Sequence, residues 1–197
     1  MKKGELTYDL IVERSAELFN LYGYHRTALS DIMTATGLKK GGIYNHFSNK
    51  DEIAKAAFDR AYEKVIRRFR MRLNECKNAS GKLFAIVEVF KSFYTEPVYK
   101  GGCPIYNTAI ETTDAYPELK SKAIEAVNML HSYIEIKIRE GIESGEFQQD
   151  VVAADIATFV MTSLEGSMIL SRVNGDPAYV ERSCRLVTEY LNEKVLS

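Results

Sequence analysis

Between Thr27 and Lys50 the chain reads Thr-Ala-Leu-Ser-Asp-Ile-Met-Thr-Ala-Thr-Gly-Leu-Lys-Lys-Gly-Gly-Ile-Tyr-Asn-His-Phe-Ser-Asn-Lys. Lys39 and Lys40 bring positive charge, Asn45 can donate and accept hydrogen bonds at once, and Tyr44 and His46 offer polar groups on flat rings. That combination suits non-covalent recognition of a polyanion whose edges present donors and acceptors. The apparatus for breaking bonds does not accompany it. There is no phosphate-cradling glycine loop, no G-x-S-x-G and no H-E-x-x-H, and Glu111 and Glu165 are isolated acids. No catalytic residue and no cofactor are therefore expected. Cys76, Cys103 and Cys184 are widely spaced, with no C-x-x-C and no histidine pair nearby, so no metal site is expected either.

Two short helices must position these side chains. One begins after Thr27, whose hydroxyl can cap free backbone N–H groups, buries Leu29, Ile32 and Met33, and ends at Gly37. The next runs from about Lys40 to Phe47. Short helices joined by a tight glycine-containing turn form a helix-turn-helix unit, whose second helix can enter the major groove of DNA. Ile32, Leu38, Ile43 and Phe47 would make the shared core, with small Ala35 where the helices touch. Lys39, Lys40, Gly42, Tyr44, Asn45 and His46 are then left facing solvent or a ligand.

The rest of the chain also recurs at three and four, so the expectation is all-α with about nine helices. A first helix spans about Thr7 to Tyr22, with Ile11, Ser15, Leu18, Phe19 and Tyr22 on one face. Ser48 with Asp51 marks the start of a long fourth helix reaching about Glu75. Later helices are expected over Lys82 to Tyr94, Pro104 to Glu111, Glu118 to Ser144, Val152 to Val173 and Pro177 to Val195. Pro104 and Pro117 suit first-turn positions, where a missing N–H costs no helical bond.

Many of these residues stand at the spacing of a known signature: Ile11, Ala16, Phe19, Gly23-Tyr24, Thr27, Asp31-Ile32, Ala35, Gly37, Gly41, Ile43-Tyr44, Phe47 and Lys50. Over residues 8–55 the sequence resembles the TetR-type bacterial transcriptional repressors. The resemblance implies that Thr27 and Tyr44 bond phosphates, that His46 lies against the backbone, and that Lys50 neutralises another phosphate. It places Lys39, Lys40, Gly42 and Asn45 near base edges. It also implies a helix-turn-helix domain at 1–50, a connecting helix at 51–76, and a ligand-binding and dimerisation domain at 77–197. Two departures stand out. Lys39 replaces the usual Ser or Thr cap of the recognition helix, a loss of about 1 kcal/mol. Gly41 and Gly42 each cost that helix on the order of 1 kcal/mol relative to alanine.

Charge supports a division of labour. Up to Arg72 there are 14 basic and 9 acidic residues, giving +5, and the remainder carries −6. The basic part is expected to meet double-stranded operator DNA as a homodimer, because one helix-turn-helix reads few base pairs. Leu164, Met168, Val180, Cys184, Val187 and Leu191 form a stripe that burial within one chain could also use, and the family resemblance implies that it forms a four-helix dimer interface. Phe90, Tyr94, Tyr106, Asn107, Met129, Tyr133, Phe159 and Met161 supply material for a small-molecule effector pocket, although each also suits a core. A secretory leader and a run of roughly 20 apolar residues are lacking, so no membrane partner is expected and the cytoplasm is the default. Redox sensing through Cys103, and a helical interaction module without DNA, are the alternatives.

Overall fold

The computed structural model describes residues 3–112, 114 and 116–196. Among them are nine α-helices: α1 Lys3–Tyr22, α2 Leu29–Thr36, α3 Lys40–Tyr44, α4 Lys50–Leu73, α5 Ala79–Thr95, α6 Pro104–Glu111, α7 Pro117–Glu143, α8 Ala153–Asn174 and α9 Ala178–Lys194. The one β-type pairing among the described residues is an isolated antiparallel bridge between Phe147 and Leu196. The chain divides into two compact units, Met1–Lys64 with Val98–Ala126, and Val65–Pro97 with Val127–Ser197. Compactness thus gathers a later stretch, including α6, into the same unit as the helix-turn-helix.

In the first unit, Ile11 and Val12 of α1, Ile32 of α2, Ile43 of α3, Phe47 and Ile53 of α4 form one buried cluster, with Leu38 and Met33 packed on it. The expected shared core is present. Its phase on α1 differs from expectation, because Ile11, Val12, Ser15, Ala16 and Asn20 point inward while Tyr22 is 55% exposed. Ala35 is likewise exposed rather than at a helix contact.

The helix starts also correct the expectations. Ala28, not Thr27, is the N-cap of α2, and its N–H donates to the Asp31 carboxylate at 2.7 Å. At α4 the cap is Asn49, whose Oδ1 accepts from Glu52 N at 2.9 Å, while the Glu52 carboxylate accepts from Ser48 N at 2.7 Å. Reciprocal bonding of this kind satisfies donors that a helix start leaves open.

In the second unit α8 and α9 pack together and both contact α5. Asn78 caps α5 by accepting from Gly81 N at 3.2 Å. Glu146 adds a second anchor, accepting from Ala79 N at 3.2 Å and Ser80 N at 3.0 Å. The backbone and hydroxyl of Ser80 hold its carboxyl below the ordinary range. By length and composition α8 is long and apolar enough to cross a membrane, with half of that window buried inside the protein. Ile156, Val160 and Leu164 show why: its apolar run is core of the second unit.

Candidate nucleic-acid interface

The turn of the helix-turn-helix is built from Thr36, Gly37 and Leu38. Gly37 closes α2 in the left-handed region at φ 69°, where any side chain would be strained. The Thr36 hydroxyl donates to Ile32 O at 2.7 Å and accepts from Leu38 N at 3.3 Å. Leu38 is thereby directed onto the core, and Lys39 begins α3 in an extended conformation with no side-chain cap. The missing cap and the two glycines leave α3 at five residues, Lys40–Tyr44, shorter than expected. Asn45, His46 and Phe47 continue as a hydrogen-bonded turn, with His46 N donating to Ile43 O at 2.9 Å.

Around this helix the polar side chains separate by face. Lys39, Lys40, Tyr44 and Asn45 are exposed, while Gly42 and His46 are half-buried. Gly42 lies against Leu38, where an added Cβ would meet Leu38 Cβ at 3.7 Å, an ordinary contact. The Lys40 ammonium sits 5.6 Å from the Tyr44 ring centroid. His46 meets Tyr8 of α1 edge-on, and Tyr8 stacks on Phe47 with centroids 5.0 Å apart. The start of α1 therefore braces the end of the recognition segment.

Two expected phosphate contacts have other work in this structure. Thr27 is only 1% exposed, and its hydroxyl donates to Gly23 O at 2.7 Å. Lys50 Nζ donates to Tyr24 O at 2.6 Å and lies 4.1 Å from the Tyr24 ring centroid. Burial lowers the Lys50 pKa, against the pull of Asp51, Glu111 and Asp31. The Tyr24 hydroxyl donates to Asp51, and burial together with that carboxylate pushes the phenol pKa far up. Lys50, Tyr24 and Asp51 thus lock the start of α4 to the loop before α2.

Sequence reasoning missed the contacts that hold this loop from the other side. Glu111, at the end of α6, accepts from the backbone N–H groups of Tyr24 at 2.8 Å and His25 at 2.9 Å. Buried Asn20 donates through Nδ2 to Lys100 O at 2.9 Å and Gly102 O at 3.1 Å. Its Oδ1 accepts from Asn107 Nδ2 at 2.9 Å. Gly101 must be glycine here, because its φ is 112° and a Cβ would come within 2.4 Å of Asn20 O. Arg26, exposed just before α2, was also missed. It makes no ion pair among the described residues.

These findings scatter the expected pocket residues. Tyr106 and Asn107 belong to the first unit, with Asn107 bound to Asn20. Phe90, Met129, Tyr133 and Met161 line one cavity of about 320 Å³ in the second unit, together with Ile66, Phe69, Leu73, Ile86, Leu130 and Ile134. Tyr94 does not line it, and Phe159 instead packs on Tyr190 at 4.6 Å.

Leu164, Met168, Val180, Cys184, Val187 and Leu191 are all buried in the single chain, and burial pushes the Cys184 thiol up to about 11. A stripe of this spacing lies where α8, α9 and α5 pack together within one unit. Cys103 is buried as well, at the cap of α6, where a solution oxidant has poor access.

Residues 11–57 match the family described as "Bacterial regulatory proteins, tetR family", and residues 79–187 match "Tetracyclin repressor-like, C-terminal domain". The chain belongs to the TetR family of transcriptional regulators. A TetR transcriptional regulator from Chloroflexus aurantiacus J-10-FL superposes with a TM-score of 0.95 at 38% identity, over 100% of both chains. A TetR-family regulator from Cytophaga hutchinsonii gives 0.88 at 30% identity, over 100% of this chain and 98% of that one. Among curated relatives, the "HTH-type transcriptional repressor DhaR" of Mycobacterium sp. (strain GP1) is 22% identical over 92% of this chain and 90% of its own. The TetR regulator described here is accordingly a DNA-binding helix-turn-helix protein and not an enzyme.

Proposed function

We propose that this TetR-family regulator is a repressor that binds a pseudo-palindromic operator as a homodimer and is released by a small apolar or aromatic effector. The observation that carries the reading is the exposed face of α3, with Lys39, Lys40, Tyr44 and Asn45 outward over a closed hydrophobic core. Asn45 and Lys40 read base edges, with Gly42 allowing close backbone approach. Tyr44, His46 and Lys39 meet phosphates, and Arg26 joins them. Thr27 and Lys50 act from behind, holding the loop before α2. The functional division follows 1–50, 51–76 and 77–197, and the regulator works in the cytoplasm.

Dimerisation uses the outward side of α8 and α9, where Leu170, Val173, Leu186 and Tyr190 are exposed. An isologous contact of this face sets two recognition helices one helical turn of DNA apart, about 34–36 Å or a multiple. The effector occupies the cavity in the second unit. Because α4 runs uninterrupted from Lys50 to Leu73, a shift of its cavity-lining end reaches the end that holds Tyr24. A coupling of about 1–3 kcal/mol changes operator affinity roughly 5–150-fold.

Fluorescence anisotropy with DNA flanking the protein's own gene, against random DNA across a salt series, tests the reading. Saturable binding at least about a thousandfold tighter than to random DNA supports it. Equally weak binding to both, without steep salt dependence, overturns it.

A further inference from the structure

Resting on the reading of the second-unit cavity as the effector site, we propose that the effector is an amphipathic carboxylic acid whose apolar body fills the cavity and whose carboxylate pairs with Arg70. The cavity is polarised from interior to mouth. Phe69, Ile86, Phe90, Ile134 and Met161 line it and are buried. Arg70, Asn74 and Met129 line it and are exposed, with Tyr133 half-buried between the two sets. Arg70 and Asn74 are four apart on α4 and its C-terminal extension, so they share one face.

Charge decides the ligand class. Among the described residues no acidic side chain lines the cavity and Arg70 has no ion pair, whereas Arg72 pairs with Glu75 at 3.1 Å. Lys137 stands 5.3 Å from the Tyr133 ring centroid but is neutralised by Glu140 at 2.5 Å. The uncompensated charge at the mouth is the Arg70 guanidinium. Its planar fork fits a carboxylate with two parallel hydrogen bonds, and a cationic ligand would be repelled by it. Burial raises the Tyr133 pKa, so at neutral pH its hydroxyl remains a donor for the same anion, as does the Asn74 amide. A volume of about 320 Å³ lies at the small end of ligand sites, about 300–1,000 Å³, which suits a medium alkyl chain or a two-ring aryl group.

Isothermal titration of the full-length protein with decanoate and naphthoate, beside the neutral decanol and naphthalenemethanol, tests the assignment. Each acid should bind once per chain at least about tenfold tighter than its alcohol, an advantage that declines with salt. Arg70→Gln, at an exposed position, should remove that advantage and leave the alcohols unchanged. Met161→Trp and, independently, Ile86→Phe fill the cavity and should remove binding of all four probes in protein that still melts cooperatively. Acids that bind no better than alcohols, acids that fail to bind, or an acid preference that survives Arg70→Gln would overturn the ligand class. Alcohol binding that the filling variants abolish would keep the cavity as the effector site. Acid binding that persists in both filling variants would overturn the class and the site together.

Discussion

Glu111 holds Tyr24 by its backbone: the carboxylate at the end of α6 accepts the Tyr24 N–H at 2.8 Å and, with its other oxygen, the adjacent His25 N–H at 2.9 Å. These two donors lie in the loop that delivers the chain into α2. A residue far along the sequence, outside the reading helices, therefore sets where the helix-turn-helix begins. Replacing Glu111 with Ala leaves both N–H groups without their partner, at a cost of about 1–3 kcal/mol at buried Tyr24, while water can take the place of the carboxylate at exposed His25. Glu111→Ala should lower the melting temperature and weaken operator and random DNA alike. An unchanged melting curve with unchanged anisotropy would show that the loop holds its place unaided.

Lys39 and Lys50 are expected to respond differently although both are lysines of the DNA-binding unit. Lys39 is exposed, so Lys39→Ala should reduce the slope of log affinity against log salt by about 1 and leave the melting temperature unchanged. Lys50→Ala removes the bond to Tyr24 O and should destabilise the protein by about 1 kcal/mol. A melting temperature unaffected by Lys50→Ala, with a reduced salt slope, would return Lys50 to the phosphate-contacting set.

The paired glycines of α3 separate helix stability from groove access. An added Cβ at Gly41 meets nothing within 4 Å, and one at Gly42 meets only Leu38 at ordinary distance. Gly41→Ala should therefore stabilise the free protein by about 0.5–1 kcal/mol. Gly42→Ala should fold equally well yet lose operator affinity, because the methyl group obstructs close approach to DNA. Equal operator affinity for Gly42→Ala and the parent protein would remove that role.

Glu146 confers an acid-sensitive anchor on α5. Its pKa is depressed in the folded state, chiefly by hydrogen bonds from Ser80. Its contribution is complete above the unfolded glutamate value, about 4.3, and is lost as pH falls through the lower folded value. Melting temperatures measured from pH 6 down to about pH 3 should fall less steeply for Glu146→Gln than for the parent. Parallel curves would show that the anchor carries no proton linkage.

Much of the DNA-binding architecture was legible because its determinants are local. Gly37, Leu38, Ile43 and Phe47 lie within a few turns of one another, and Pro104 announces the start of α6 where it is found. The holding contacts were not legible. Asn20 and Asn107 are 87 positions apart, and no periodicity in either helix marks one as the partner of the other. Asn20 also moved the buried face of α1, since a polar side chain with fixed partners turns inward where hydropathy alone would favour Tyr22. The stripe from Leu164 to Leu191 is buried within the single chain, and its spacing could not announce this: apolar spacing states that a face is covered, but not whether its own chain or a second copy covers it. Likewise, aromatic content gave Phe90 and Tyr133 their cavity but could not separate them from Tyr94 and Phe159.

The bond from Tyr24 to Glu111 spans 87 positions, which gives it a meaning during protein synthesis. At about 5–20 residues per second, roughly 4–17 s separate the emergence of Tyr24 from that of its partner. From the emergence of Ile53 onward the nascent reading head has all the residues of its hydrophobic core but still lacks Glu111, Asn107 and the loop carbonyls that secure α1 and the approach to α2. A truncated product ending before α6 would carry every DNA-facing residue in an unsecured frame. Completion of the reading head is thus tied to translation of the sequence that leads into the sensing half.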